Sequence, residues 1–205
     1  ADFYIPLTIH IVGTSDGQGY YSLNDLYQSL CTLNADFEAS NIQFYIKGDI
    51  NYIDNDNYYD HSFFQGGQMM ATYNVGQTVN CYFVDSPAGN CGYYSPGRDA
   101  VAMAKSCSGP ESHTWAHELG HFFSLPHTFS GWEGRDYEDF DETPTFLDNG
   151  REVEFLDGSN CESAGDGFCD TPADYLSFRW GCNGQGLSNI VQRDPADSTF
   201  RSDGT

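Results

Sequence analysis

Basic residues are scarce. Eight Lys and Arg stand against 30 Asp and Glu, a formal net charge of −22 over 205 residues. That balance opposes a nucleic-acid role, because phosphate binding needs Lys and Arg to displace counterions. It disfavours attachment to an anionic membrane surface for the same reason. No apolar run approaches the roughly 20 residues of a bilayer span, and no C-x-x-C pair occurs, so zinc-ribbon and thioredoxin-like readings are poor. The start has neither an initiator Met nor a signal-like apolar stretch, so Ala1 reads as a processed or engineered beginning.

What is present points elsewhere. Fourteen Tyr and 15 Phe argue against disorder despite the acidity. The length suits one domain, or one domain of two lobes, with a real core. Seven cysteines (Cys31, Cys81, Cys91, Cys107, Cys161, Cys169, Cys182) suit a disulfide framework in an exported protein. The number is odd, so one lacks a partner within these residues.

Residues 4–13 (YIPLTIHIVG) read as a strand. Ser22 and Asp25 then open a helix over 22–39, with Leu23, Leu26, Tyr27, Leu30, Leu33 and Phe37 at helical spacing. Residues 42–53 alternate like a strand bulged at Gly48, 77–84 form another, and 92–95 with 100–105 make a hairpin around Pro96-Gly97. A second helix is expected over 110–124, with Ser108 and Glu111 in capping register. Beyond Pro126 the chain turns Gly-, Asp- and Asn-rich, which reads as a loop-dominated lobe held by disulfides and ions.

The chemistry lies in WAHELGHFFSLPH, residues 115–127. One turn apart on a helix, His117 and His121 can reach one metal, while Trp115, Leu119, Phe122 and Phe123 form an apolar back. Glu118 sits near enough to act on a metal-bound water. Pro126 ends the helix, so His127 arrives from a turned-back loop as a third nitrogen, leaving a fourth tetrahedral position open. H-E-x-x-H alone occurs by chance. On a well-signalled helix, opposite the apolar stripe and followed by a third His, it reads as a metal site.

Extended to H-E-x-x-H-x-x-x-x-x-H, the motif resembles the metzincin metallopeptidases. HELGHFFSLPHTF with GDGFCDTPAD (165–174) resembles the pappalysin family among them. That resemblance implies an α+β, two-lobed zincin with a twisted mixed sheet, an active-site helix and an irregular disulfide-rich C-terminal lobe. The lobes would meet near residue 124. It also implies zinc on His117, His121 and His127, Glu118 as general base, and secreted endopeptidase activity on protein or peptide substrates. Calcium is common in that family's second lobe, with Asp166, Asp170 and Thr171 as the candidates here. The family's arrangement suggests a Cys161–Cys182 bridge, leaving Cys169 for a partner beyond Thr205. Cys31–Cys81 and Cys91–Cys107 would then be the other bridges.

The sequence departs from the pattern twice. The metzincin motif has Gly three residues after the second His, where this chain has Ser124; Ser can adopt the turn at some cost. The Met expected beneath the zinc is missing downstream, since Met69, Met70 and Met103 all precede His127. The chain therefore reads as a domain whose C-terminal remainder lies outside it.

Other candidates are weaker. His10 reads as a packed strand residue, His61 as an aromatic-loop residue, and His113 as a first-turn polar residue. Residues 54–57 (DNDN) read as a turn, lacking the Gly and closing Glu of an EF-hand. A substrate strand would lie antiparallel to an edge strand near residues 100–104. One rival is another zincin type in which Glu138 or Glu142 replaces His127. A rival of another class is a non-catalytic extracellular module keeping a structural metal, which would have no need of Glu118.

Overall fold

A computed structural model describes residues 2–133, 144–147 and 150–174. The chain divides into two units, Ala1–Ser124 and Leu125–Thr205, taken here one at a time.

In chain order the first unit runs β1 (Phe3–Gly13), α1 (Leu23–Asp36), β2 (Ile42–Ile46), β3 (Asn51–Asp54), α2 (Asp56–Tyr59) and β4 (Asp60–His61). It continues through α3 (Phe63–Tyr73), β5 (Val79–Val84), β6 (Ser86–Pro87), β7 (Gly92–Ser95), β8 (Ala100–Ala104) and α4 (Thr114–Phe122). The six-stranded sheet has the order β2-β1-β5-β8-β7, with β3 also on β1. Every pairing is parallel except β7 on β8.

β1 is buried on both faces, as a central parallel strand should be. Leu7, Ile9 and Ile11 join Phe44, Cys81, Phe83, Val101, Met103, Trp115 and Leu119 in one core. Val12 joins Ile53, Met69, Met70, Tyr82 and Val84 in the other. Ser22 caps α1 by accepting from the Asp25 N–H, as its position in the sequence indicates. The expected strand over 42–53 is two strands, β2 and β3, laid end to end along β1. The break holds Gly48 in the left-handed region at φ 76°, where glycine carries no steric penalty.

Two readings are corrected. The helix expected from residue 110 starts at Thr114. The carbonyls that would open it are engaged by α1 and the residue before its cap: Ser108 O accepts from Ser29 Oγ (2.6 Å) and the Tyr21 hydroxyl, and Pro110 O from Thr32 Oγ1. Residues 100–104 are not an edge either, because β8 pairs with β5 on one side and β7 on the other. The open edge beside it is β7.

The described residues of the second unit form turns and irregular segments. They contain one bridge, Phe146 with Glu152, and Trp132, Leu147, Val153, Ala164 and Ala173 are each buried. The Asn160 side chain accepts from Phe155 N (2.8 Å) and donates to Val153 O (3.0 Å), replacing a ladder with side-chain bonds. No helix among the described residues is long and apolar enough to cross a membrane.

Candidate active site

α4 is anchored by its apolar back. Trp115 and Leu119 are buried, Trp115 edge-on to Phe83 at 5.1 Å. Phe122 meets Tyr94 of β7, whereas Phe123, at the helix end, stays partly exposed. At the other end His113 precedes the helix and binds Asp36, 2.9 Å away. Its ring is thereby committed to α1.

The opposite face carries the histidine pair. The Nε2 atoms of His117 and His121 stand 3.1 Å apart, with the rings at 84°. Two nitrogens about 2.0–2.1 Å from one zinc at a tetrahedral angle lie about 3.3 Å from each other, so the pair is spaced as two ligands. Three residues after His121 the backbone of Ser124 turns left-handed, φ 73°. This is the turn for which the motif uses Gly. The segment from 117 to 127 brings one ligand atom from each of His117, His121 and His127 within 4.8 Å of the others. His127 stacks on Phe129, and its Nδ1 lies 3.5 Å from Glu133 Oε1. Three imidazoles are a donor set suited to zinc.

Glu118, next to His117, is 5% exposed. Burial pushes its carboxyl up to about 7, while the backbone N–H of Tyr94, donating to it, pulls the other way. Gly92, one strand position away on the same face of β7, gives the carboxylate its room. An added Cβ there would stand 2.6 Å from Glu118 Oε1 and 2.8 Å from Cγ. Sequence reasoning missed Gly92, Tyr94 and Glu133, because no local spacing relates them to the helix.

The reading of His10 as a packed strand residue fits what is seen, whereas His61, read as a loop residue, lies in strand β4, and the turn read over 54–57 is also corrected. His10 is buried, stacked on Tyr82 at 4.1 Å, donating from Nε2 to Asn80 Oδ1 at 3.1 Å. His61 is held between Tyr58 O and the Tyr93 hydroxyl. Residues 54–57 are not a free turn: Asp54 ends β3, Asn55 caps α2 by accepting from Asn57 N, and Asp56 and Asn57 open that helix.

Asp166, Asp170 and Thr171 do share one loop. Asp166 is buried and accepts from Phe168 N (2.9 Å) and Thr171 Oγ1 (2.8 Å), while Asp170 faces solvent.

The disulfides require a correction. Cys91–Cys107 forms as expected. Cys161 pairs with Cys169, not Cys182, because the turn from Asn160 to Gly167 folds back and sets their Cα atoms 5.1 Å apart. Cys169 is thus not the unpaired one. Cys31 and Cys81 are both free: Cys31 is exposed on α1, while Cys81 lies in the sheet core against Trp115, its thiol pushed up to about 12 by burial. Cys182, Glu138 and Glu142 lie outside the described residues.

No protein-family model matches the chain. It is similar to a protein named extracellular metalloprotease from Pyricularia oryzae, 30% identical over 155 residues, 66% of this chain and 54% of that one. A protein of the same name from Verticillium alfalfae is 26% identical over 170 residues, 70% of this chain and 59% of that one. The chain thus spans little more than half the length of these relatives. Among solved structures it is similar to mature mirolysin of Tannerella forsythia in complex with a cleaved peptide, at TM-score 0.50 and 16% identity, covering 85% of this chain and 84% of that one. That last likeness is one of fold.

Proposed function

We propose that this chain carries the catalytic part of a secreted zinc-dependent endopeptidase of the metzincin type, nearest in its motifs to the pappalysin family. One observation carries the reading. His117, His121 and His127 bring their ligand atoms within 4.8 Å of one another, and a buried carboxylate stands beside the first of them. The relatives' names, extracellular metalloprotease, support the activity and the export, and two disulfides suit an oxidising compartment.

The three histidines would hold the zinc, which when bound supplies Lewis acidity toward a water and the scissile carbonyl. Glu118 takes the proton from the attacking water and later delivers it to the leaving amine. Burial and the Tyr94 N–H hold the carboxylate in place for both tasks. Glu133 orients His127. The peptide would add as a strand at β7, the sheet's open edge beside α4, where the Tyr94 N–H is already engaged by Glu118. The peptide in the mirolysin complex supports a substrate of this class. In the second unit, calcium would sit at the Asp166, Asp170 and Thr171 loop.

The test is zinc content together with hydrolysis of a mixed peptide library, with and without a chelator. Stoichiometric zinc with chelator-sensitive cleavage is expected. Zinc without turnover would instead indicate a metal-stabilised binding module.

A further inference from the structure

We infer that Gly92 is a positioning residue for Glu118: its missing side chain is the space the carboxylate occupies, and β7 is the stop against which the carboxylate rests. The inference rests on the peptidase reading for its consequence in catalysis, and on geometry alone for the packing.

The backbone of Gly92 does not lie in the left-handed region, so conformation does not call for glycine there. Room does. An added Cβ would meet three atoms of one side chain, Glu118 Oε1 at 2.6 Å, Cγ at 2.8 Å and Cδ at 3.0 Å. One partner must yield, and the two are held unequally. β7 is laddered to β8 from Gly92 on Met103 through Ser95 on Ala100. Just before it, Cys91 O accepts from Ala104 N at 2.8 Å and Cys91 is bridged to Cys107. Tyr94 packs on Phe122. The strand is pinned at both ends, and α4 is pinned through Trp115 and Leu119. The partner that yields is the Glu118 side chain, held to β7 by the Tyr94 N–H and not by a ladder, so a methyl at position 92 moves the base and leaves the frame.

Gly97 provides the contrast. It lies in the β7–β8 turn, has nothing within 4 Å of an added Cβ and has no positive φ. Gly97→Ala therefore controls for stiffening the chain.

The experiment combines kinetics and melting on the zinc-loaded protein. Gly92→Ala should keep its zinc and lower kcat about 10- to 100-fold, the scale of an ångström-sized misplacement, with KM changed less than about twofold and Gly97→Ala like wild type. A Glu118→Ala background removes Cγ, Cδ and Oε1 together, so Gly92→Ala should add no further loss to the residual rate there. Melting gives a readout independent of turnover. Gly92→Ala should lower Tm more in the Glu118 protein than on a Glu118→Ala background, where the space is vacant. Wild-type kcat in Gly92→Ala, or equal Tm shifts on the two backgrounds, overturns the inference. A zinc-loaded wild type that cleaves no peptide defeats the peptidase reading and the positioning role with it. The melting cycle still decides whether the two residues share the space.

Discussion

Two buried glutamates, one in each unit, reach the same end by different means. Glu118 and Glu154 are both about 5% exposed, both are pushed up to about 7 by burial, and both lean on a glycine that leaves them room. Glu118 is held between a helix and a laddered strand and is steadied by a backbone N–H. Glu154 lies in a loop beside Asp166, whose charge raises it further, and the loop is closed by Asn160 and by Cys161–Cys169. Even the glycines differ. Gly165 is required by its backbone, φ 52°, as well as by space, and Gly92 by space alone. A regular frame can place a charged group for reaction, whereas a loop frame must first be held closed.

The largest effect should separate the two carboxylates by function. Glu118→Gln should retain zinc and Tm and lose turnover by about 100-fold or more, the scale of a lost general base. Glu154→Gln should leave turnover within about twofold. Equal losses from both would mean that Glu118 acts through the fold and not on the substrate. His121→Ala should fail to bind zinc, read by metal content after dialysis.

The next effect separates the frames. Replacing Cys161 and Cys169 by Ser should cost about 2–3 kcal/mol, the loop-entropy scale of a short closed ring. The cost should appear as faster hydrogen exchange and proteolysis in the second unit, while the amides of β1 and β5 stay protected. Uniform loss of protection in both units would show that the disulfide supports more than its own loop.

The same contrast explains what could be read from sequence. β1, α1, β5 and the β7–β8 hairpin announce themselves through periodicity and caps such as Ser22, because their signals lie within a dozen residues. The histidine pair is legible for the same reason, as two residues one helical turn apart. The late start of α4 is not, since it depends on Tyr21, Ser29 and Thr32 reaching carbonyls at 108–110 from another element. Nor is the burial of Cys81 away from Cys31, which follows from the face that β5 turns to Trp115. Gly92 looks like any turn-flanking glycine until α4 is laid beside it. In the second unit nothing is periodic, and the Cys161–Cys169 pairing follows from turns that only the folded loop reveals.

Protonation acts on one buried glutamate in each unit and, in the first unit, on a buried histidine of opposite sign. Glu154 holds its proton more tightly folded than unfolded. Its contribution is therefore full below the ordinary carboxylate value of 4.5 and lost as pH climbs through about 7. His10, lowered from 6.5 chiefly by burial, binds its proton less tightly when folded. Its contribution is full above 6.5 and lost as pH falls below that value. Urea midpoints from pH 5 to 8, reported separately by amides of each unit, should show the second unit weakening toward base. The first should weaken toward acid once Glu118→Gln has removed the opposing slope of Glu118, which is likewise pushed up to about 7. Glu154→Gln should remove the second slope. Calcium, if it binds at Asp166, Asp170 and Thr171, should flatten that slope too. An unchanged midpoint and proteolysis rate at pH 8 with added calcium would exclude the site.

The smallest effect lies at the junction in the sequence between the two units. Ser124 holds φ 73° where a residue with a Cβ meets its own carbonyl, a penalty of about 1–2 kcal/mol. Ser124→Gly would remove that strain. It would also release a more flexible unfolded chain, a loss of roughly 0.5–1 kcal/mol. The difference leaves a net gain of about 0.5–1 kcal/mol, a rise in Tm of about 1–4 °C for a chain of this size. On the proposal that His127 shares one zinc with the other two histidines, relieving this turn should also tighten zinc binding, read in a competition titration with a coloured chelator. Ser124→Val, whose branched side chain tolerates positive φ poorly, should move both quantities the other way. If Gly and Val shift Tm and zinc affinity alike, the turn at 124 is not what brings His127 to the metal.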